Sequence, residues 1–171
     1  MSPLQNMMTP KLYNLFISSQ RKLYRFALSL TKDVNDAEDV LQDTLLKLWK
    51  LRDEWDNWQN FEAYAMRMIR NEYLNYSKKQ KGRAYSTLDD VPEGVEPSQT
   101  DTDMTTDDLM FRFNALTSKL PEIQRNILHL REIEELEYKE IAKVMDITEA
   151  QVKVYLYRAR QYLQEKVHGK R

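Results

Sequence analysis

The stretch from Leu120 to Leu163, LPEIQRNILHLREIEELEYKEIAKVMDITEAQVKVYLYRARQYL, constrains the fold more than any other part of the chain. Its spacing is that of two helices crossing at a tight turn. Ala142 stands where the helices approach too closely for a larger side chain. Asp146 follows at the turn, and Val152 faces back inward, with Ile141, Met145 and Ile147 as apolar partners. Val152, Leu156, Ala159 and Leu163 then recur at i, i+4, i+7 and i+11, one stripe of a helix. The opposite face carries Glu149, Gln151, Lys153, Tyr157, Arg158 and Arg160. A helix with one buried stripe and a polar, cationic outer face is what the major groove admits. The pattern predicts a helix-turn-helix that reads DNA.

The rest of the chain predicts helices too. Only 3 Gly and 5 Pro occur in 171 residues, too little turn chemistry for hairpins or parallel sheets. The expected fold is all-α: two small helical domains joined by a flexible acidic linker, the second a helix-turn-helix. The first helix spans Pro10 to about Leu30, with Leu12, Leu15, Phe16, Leu23, Phe26, Ala27 and Leu30 at helical spacing. The second, capped by Asn35 or Asp36, places Ala37, Val40, Leu41, Leu45, Leu48 and Trp49 on one face. LRDEWDNWQN lacks a period and reads as a loop. Asn60 or a neighbour starts a third helix, with Phe61, Tyr64, Ala65, Met68, Ile69 and Leu74 inward. Three or four such helices close a small bundle. Residues 82–106 are acidic and poor in large apolar groups, the composition of a linker. They divide residues 1–81 from 107–171. In the second domain Leu109, Phe111, Phe113, Leu116 and Leu120 belong to the first helix, and Pro121 opens the next.

Net charge is only −1, but its distribution is uneven. Residues 63–85 hold six Lys or Arg against Glu72 alone. Residues 86–111 hold eight acids and no base. Residues 148–171 hold six basic residues against two acids. Two basic regions around an acidic connector suggest two nucleic-acid-facing modules. The absence of Cys excludes disulfides and thiolate metal sites, and it fits a cytoplasmic location. The N-terminus lacks the pattern of a secretory signal, and no apolar run reaches a membrane span.

Two further clusters carry chemistry. Asp36, Glu38, Asp39, Gln42 and Asp43 crowd two turns beside Leu45, Leu46 and Trp49. The helix dipole alone would favour acids at this end, and a face for a basic partner helix would also explain them. Farther on, Trp55, Trp58, Tyr64, Tyr73 and Tyr76 alternate with Asn57, Gln59, Asn60, Arg67, Arg70 and Asn71. Unpaired bases stack on aromatic faces and bond to amides, while Arg follows the phosphates. Trp55 and Tyr64 suit a core equally well. Glu165 and His168 form an isolated E-x-x-H pair without the partners a di-metal bundle needs. No set of groups converges on a reaction, so neither an enzyme nor a cofactor is expected.

These features in this order resemble the extracytoplasmic-function group of bacterial RNA polymerase sigma factors. The resemblance covers nearly the whole chain: KLYRFALSL at 22–30, DAEDVLQDTLLKLW at 36–49, FEAYAMRMIRNEYLNY at 61–76, then Leu120, Pro121, Arg125, Leu130, Glu140–Ala142 and Arg158–Arg160. It implies that Asp36, Glu38, Asp39, Gln42 and Asp43 bind the clamp coiled coil of the polymerase largest subunit. It implies that Asn57, Trp58, Gln59, Asn60, Tyr64, Arg67, Arg70 and Asn71 melt the minus-ten promoter element and hold a flipped base. Glu149, Gln151, Lys153, Val154, Tyr157, Arg158 and Arg160 would meet the minus-thirty-five element. The acidic linker would thread the channel that later holds RNA. Further implied partners are the flap of the second-largest subunit and an anti-sigma factor. The chain departs from the family at Asp146, where Gly is frequent, at Asn75, where Asp is common, and in the run AQVKVY at 150–155, which alters the promoter sequence read. Two other functions fit the motifs less completely: a helix-turn-helix regulator that acts without polymerase, and a protein-binding polymerase antagonist that survives loss of 148–171.

Overall fold

The computed structural model describes residues 10–83 and 104–169, and every regular element among them is helical. The expected linker at 82–106 falls almost entirely outside these residues. At its edges the first half stays helical through Arg83 and the second becomes helical at Met104.

Helix α1 (Pro10–Thr31) packs against α2 (Val34–Lys50) and α3 (Phe61–Arg83). Leu23, Phe26, Ala27, Ala37, Val40, Leu48, Ala65, Met66 and Ile69 fill the space between them and are almost wholly buried. Each large apolar side chain in such a core contributes about 1.5–3 kcal/mol. The cap of α2 is Asp33, not Asn35 or Asp36. Its carboxylate accepts the Asp36 N–H at 2.9 Å, so the helix starts earlier than its apolar pattern. Thr44 is buried beside Val40 and Leu48 because its hydroxyl donates to the Val40 carbonyl at 2.8 Å.

The expected loop after α2 is instead a 3-10 turn, Arg52–Asn57. A turn this short shows no 3.6-residue period. It is fixed by one side chain, Trp55, whose indole N–H donates to the Leu48 carbonyl at 3.0 Å. Its ring stacks on Phe16 at 5.6 Å and meets the edge of Phe61 at 4.9 Å. Trp55 is therefore core. Asn60 then caps α3, its side-chain oxygen accepting the Ala63 N–H at 3.1 Å. The inward side of α3 is Phe61, Ala63, Ala65, Met66 and Ile69; Tyr64 and Leu74, expected inside, are exposed.

The second half runs α4 (Met104–Thr117), α5 (Glu122–Leu128), a π turn (His129–Ile133), α6 (Tyr138–Met145) and α7 (Glu149–His168). Leu109, Phe111 and Leu116 on α4 are exposed, and Leu120 is buried but lies beyond the helix end. Periodicity marks an apolar stripe; it does not say that a neighbour covers it. Pro121 occupies the cap just before α5. Between α6 and α7 the chain turns at Asp146, which takes a left-handed conformation (φ 55°, ψ 50°). Ile141, Ala142, Met145, Val152, Leu156 and Ala159 are buried as their spacing predicts. The halves also touch each other, with α6 lying along α3.

Candidate nucleic-acid interface

Three surfaces correspond to the residue sets picked out in the sequence. On α2, Glu38, Asp39, Gln42 and Asp43 are exposed while Ala37, Val40, Thr44 and Leu48 face the core. The acidic face is thus separate from the packing face. Asp36 differs: it is half-buried and accepts a hydrogen bond from the Tyr76 hydroxyl of α3. That bond, then burial, pushes the Tyr76 phenol up from its ordinary value. Asp36 ties α2 to α3 within the first bundle.

The second surface surrounds the start of α3. Trp58, Gln59, Asn60, Ala63, Tyr64 and Arg67 line one cavity of about 140 Å³. The 3-10 turn delivers Trp58, and the α3 cap fixes Asn60. Tyr64 and Arg67 then follow on the same side of the helix, at i+4 and i+7 from Asn60. Trp58 stacks on Tyr64 with ring centroids 3.7 Å apart and an interplanar angle of 16°. Its ring also lies 5.9 Å from Phe61, at 25°. The aromatic, amide and cationic groups are therefore brought together, as stacking and backbone tracking require. Asn57, Arg70 and Asn71 lie outside the cavity; Asn57 and Asn71 are exposed and Arg70 is half-buried. Two residues that sequence reasoning missed complete its lining: Glu140 and Lys143 of α6. No local pattern could have found them, because they belong to the other half of the chain.

The third surface is the outer face of α7. Glu149, Gln151, Lys153, Val154, Tyr157, Arg158 and Arg160 are all exposed, Val154 by 46% and Tyr157 by 63%. Thr148 caps the helix and forms a reciprocal box with Gln151. The Gln151 N–H donates to the Thr148 hydroxyl at 3.1 Å, and the Thr148 N–H donates to the Gln151 amide oxygen at 3.0 Å. The same oxygen also accepts from the Thr148 hydroxyl at 3.3 Å, so both lone pairs of the atom that would accept from a base are engaged. Arg160 donates to Glu132 at 2.7 Å, a bond that raises the Arg160 pKa further.

An ionic cluster with buried Glu134 and His129 joins the halves. Arg25 of α1 donates through Nε and Nη2 to the two carboxylate oxygens of Glu134, at 2.7 and 3.0 Å. Glu134 lies 3.2 Å from Nε2 of His129, and both side chains are 0% exposed. Burial alone would raise the Glu134 carboxyl. The hydrogen bonds from His129 and Arg25, with their charges, outweigh it and hold the group below its ordinary 4.5.

Comparison with known proteins follows the same division. The family model for sigma-70 region 2 matches residues 15–83, and that for sigma-70 region 4 matches residues 111–163. The ECF RNA polymerase sigma factor SigM of Bacillus subtilis is 29% identical over 153 residues, covering 90% of this chain and 91% of that protein. The ECF RNA polymerase sigma-E factor of Escherichia coli K12 is 26% identical over 166 residues, 92% of this chain and 87% of that one. Among solved structures, the sigma factor RpoE of Bartonella quintana, in complex with the anti-sigma factor NepR, matches with a TM-score of 0.75 at 24% identity, over 95% of this chain and 100% of the other. CnrH in complex with the cytosolic domain of CnrY matches with a TM-score of 0.62 at 20% identity, over 94% and 89%. At these identities the two structures speak for the fold.

Proposed function

Because the chain belongs to the extracytoplasmic-function group of RNA polymerase sigma factors, we propose that it binds core bacterial polymerase through α2 and directs it to promoters with two separate DNA-facing surfaces. The observation that carries the reading is the division of α2 into a buried apolar face and an exposed face of Glu38, Asp39, Gln42 and Asp43. An acidic stripe left out of the core is suited to a cationic partner helix, and charge complementarity steers such an encounter as well as holding it.

In this reading Trp58, Gln59, Asn60, Tyr64 and Arg67 receive the non-template strand of the minus-ten element. Extracting a base from the stack costs a few kcal/mol, which an aromatic platform and amide hydrogen bonds offset. Arg70, Asn71 and Asn57 border that surface and follow the strand beyond the cavity. The outer face of α7 enters the major groove at the minus-thirty-five element, with Lys153, Val154 and Gln151 towards the bases and Arg158 and Arg160 towards phosphates. The chain acts as an initiation factor, with the chemistry of transcription left to the polymerase. Residues 1–81 and 107–171 form the two modules and 82–106 the connector. An anti-sigma factor is the expected antagonist.

The test is reconstitution. The chain should co-purify with bacterial core polymerase and support transcription from a subset of promoters in vitro. A DNA-binding chain that fails to join core polymerase at moderate salt would point to a polymerase-independent regulator instead.

A further inference from the structure

Glu140 is the least expected member of the cavity at the start of α3. It lies in the first turn of α6, is only 6% exposed, and lines the cavity opposite Trp58, Tyr64 and Arg67. Among the described residues no group is hydrogen-bonded or ion-paired to its carboxylate. The N-terminal end of a helix favours an acid in its first turn, and this alone would explain the residue type. It supplies no hydrogen bond, and a carboxylate taken out of water needs them. Glu140 therefore keeps acceptor capacity for a ligand.

The groups around it narrow what that ligand is. Tyr64 has one face on Trp58, with ring centroids 3.7 Å apart, yet stays exposed. A planar ring can extend that stack. The cavity volume of about 140 Å³ is close to that of an engineered cavity of about 150 Å³ that takes a benzene ring. It admits a ring and leaves bulkier groups outside. Asn60 commits its side-chain oxygen to the Ala63 N–H, which leaves its NH2 to donate. Arg67 and Lys143 are exposed, and neither is ion-paired among the described residues. These two cations repel the basic peptide side chain that would otherwise suit Glu140, and they suit phosphate.

A stacking ring, two donors for one carboxylate, an acceptor for an amide and a phosphate for two cations describe a guanine nucleotide. Guanine sets N1–H and the N2 amino group side by side, so one carboxylate accepts both in parallel. Its O6 lies next to them and accepts from an amide NH2. Adenine and cytosine set a ring-nitrogen lone pair beside their amino group, against the carboxylate. Uracil and thymine offer one N–H between two carbonyls.

We propose that the cavity between α3 and α6 is a binding site for a free guanine nucleotide, with Glu140 reading the base, Tyr64 stacking on it, and Arg67 and Lys143 holding the phosphates. The proposal does not rest on the assignment of the neighbouring surface to DNA. Because both halves supply the walls, a bound nucleotide favours the arrangement in which they touch.

Equilibrium dialysis of the full-length free protein against GDP, IDP, ADP and CDP, without polymerase or DNA, is the test. GDP should bind saturably and most tightly. IDP keeps N1–H but lacks the N2 amino group, and it should bind on the order of tenfold more weakly, the effect of one charge-assisted hydrogen bond. Glu140→Gln should bring GDP down to the level of ADP. Arg67→Ala and Lys143→Ala should each weaken GDP while guanosine, which lacks phosphates, is bound as before. Should Glu140→Gln lose its helicity by circular dichroism, the ratio of GDP to IDP binding on the unaltered chain decides. Equal binding of the four nucleotides overturns the proposal. So does a lack of saturation at millimolar concentration, the result expected if water alone serves the carboxylate. An oligothymidylate with one central guanine tests the other source of the base. If it binds more tightly than GDP and loses that advantage in Glu140→Gln, the site belongs to a DNA strand and the free-nucleotide reading fails. Failure on any of these counts leaves the promoter reading standing, since co-purification with polymerase and transcription test that separately.

Discussion

Gln151 faces a choice that Lys153 does not, and this yields a ranked expectation for how α7 reads DNA. A bidentate pair with adenine needs the Gln amide oxygen as acceptor, but both lone pairs of that atom are engaged, by the Thr148 N–H at 3.0 Å and the Thr148 hydroxyl at 3.3 Å. Reading therefore requires opening the capping box. A net hydrogen bond of this kind is worth about 0.5–1.5 kcal/mol, less at an exposed site where water replaces it. A good bidentate base contact supplies about 1–3 kcal/mol of discrimination. The difference left to Gln151 is on the order of 1 kcal/mol, or about fivefold at one promoter position. Lys153 is exposed and can use its full contact, so Lys153→Ala should relax one position more strongly than Gln151→Ala does. Stability should sort the same residues in another order. Thr148→Ala removes the cap acceptor and should cost about 1 kcal/mol. Gln151→Ala should cost less, because Ala recovers a few tenths through helix propensity. Gln151→Glu should cost nothing, since a carboxylate can still accept from Thr148 and suits the helix N-terminus. The same change should abolish adenine preference at its position. Urea unfolding measures the first set, and binding-site selection with reconstituted holoenzyme measures the second. If Gln151→Ala relaxes preference as much as Lys153→Ala, the box does not compete with base reading and the reasoning fails.

Reversing Asp39 and Asp43 to Lys should abolish assembly with core polymerase while helicity by circular dichroism is retained; holoenzyme formation at moderate salt would move the anchor elsewhere. Glu134 should make the stability of the folded chain sensitive to acid, chiefly through His129 and then Arg25. Its folded pKa lies below the ordinary 4.5, so its contribution is complete above that value and is lost as pH falls from there through the folded pKa. Stability in urea should fall in that window, and Glu134→Gln should flatten the dependence; identical profiles would assign the acid response to other carboxylates. Asp146→Gly should stabilise the second half slightly, by roughly 0.5 kcal/mol, as relief of left-handed strain exceeds the added freedom of the unfolded chain. A loss of stability in urea would mean that the Asp146 side chain itself holds the turn.

The parts of the fold that were legible are those set by short-range spacing. Val152, Leu156 and Ala159 announced the inner stripe of α7, and Asn60 announced a helix start because its side chain must satisfy an N–H three residues on. The 3-10 turn at Arg52–Asn57 escaped because it is too short to have a period and is held by one long-range ring, Trp55. Leu109 and Leu116 share one face of α4 and Phe111 lies on another, yet all three are exposed. Tyr64 shows the reverse: helical spacing assigned it inward, while Trp58 holds it at the surface by stacking. The candidate site was legible by half for a similar reason. One wall follows from the run Trp58 to Arg67. The other, Glu140 and Lys143, belongs to α6, which folding lays along α3 just as it brings Arg25 to Glu134 across 109 residues.

That long-range pair also bears on the order of events in initiation. Glu38, Asp39, Gln42 and Asp43, the face proposed to meet polymerase, point away from the core of the first bundle and are exposed while the halves are in contact. Encounter through this face therefore does not require the halves to separate first. Opening does require a partner for what it releases. A buried ion pair that loses one member costs about 3–5 kcal/mol, mostly because the remaining charge lacks a partner. When the halves separate, both members re-enter water instead, and the cost falls to the difference between hydration and pairing. Polymerase surfaces that hold the two halves apart can meet that cost, since a ligand shifts an equilibrium by its differential affinity for the two states. An antagonist that grips the closed arrangement works in the opposite direction through the same quantity. Both effects converge on whether α6 rests on Trp58, Tyr64 and Arg67.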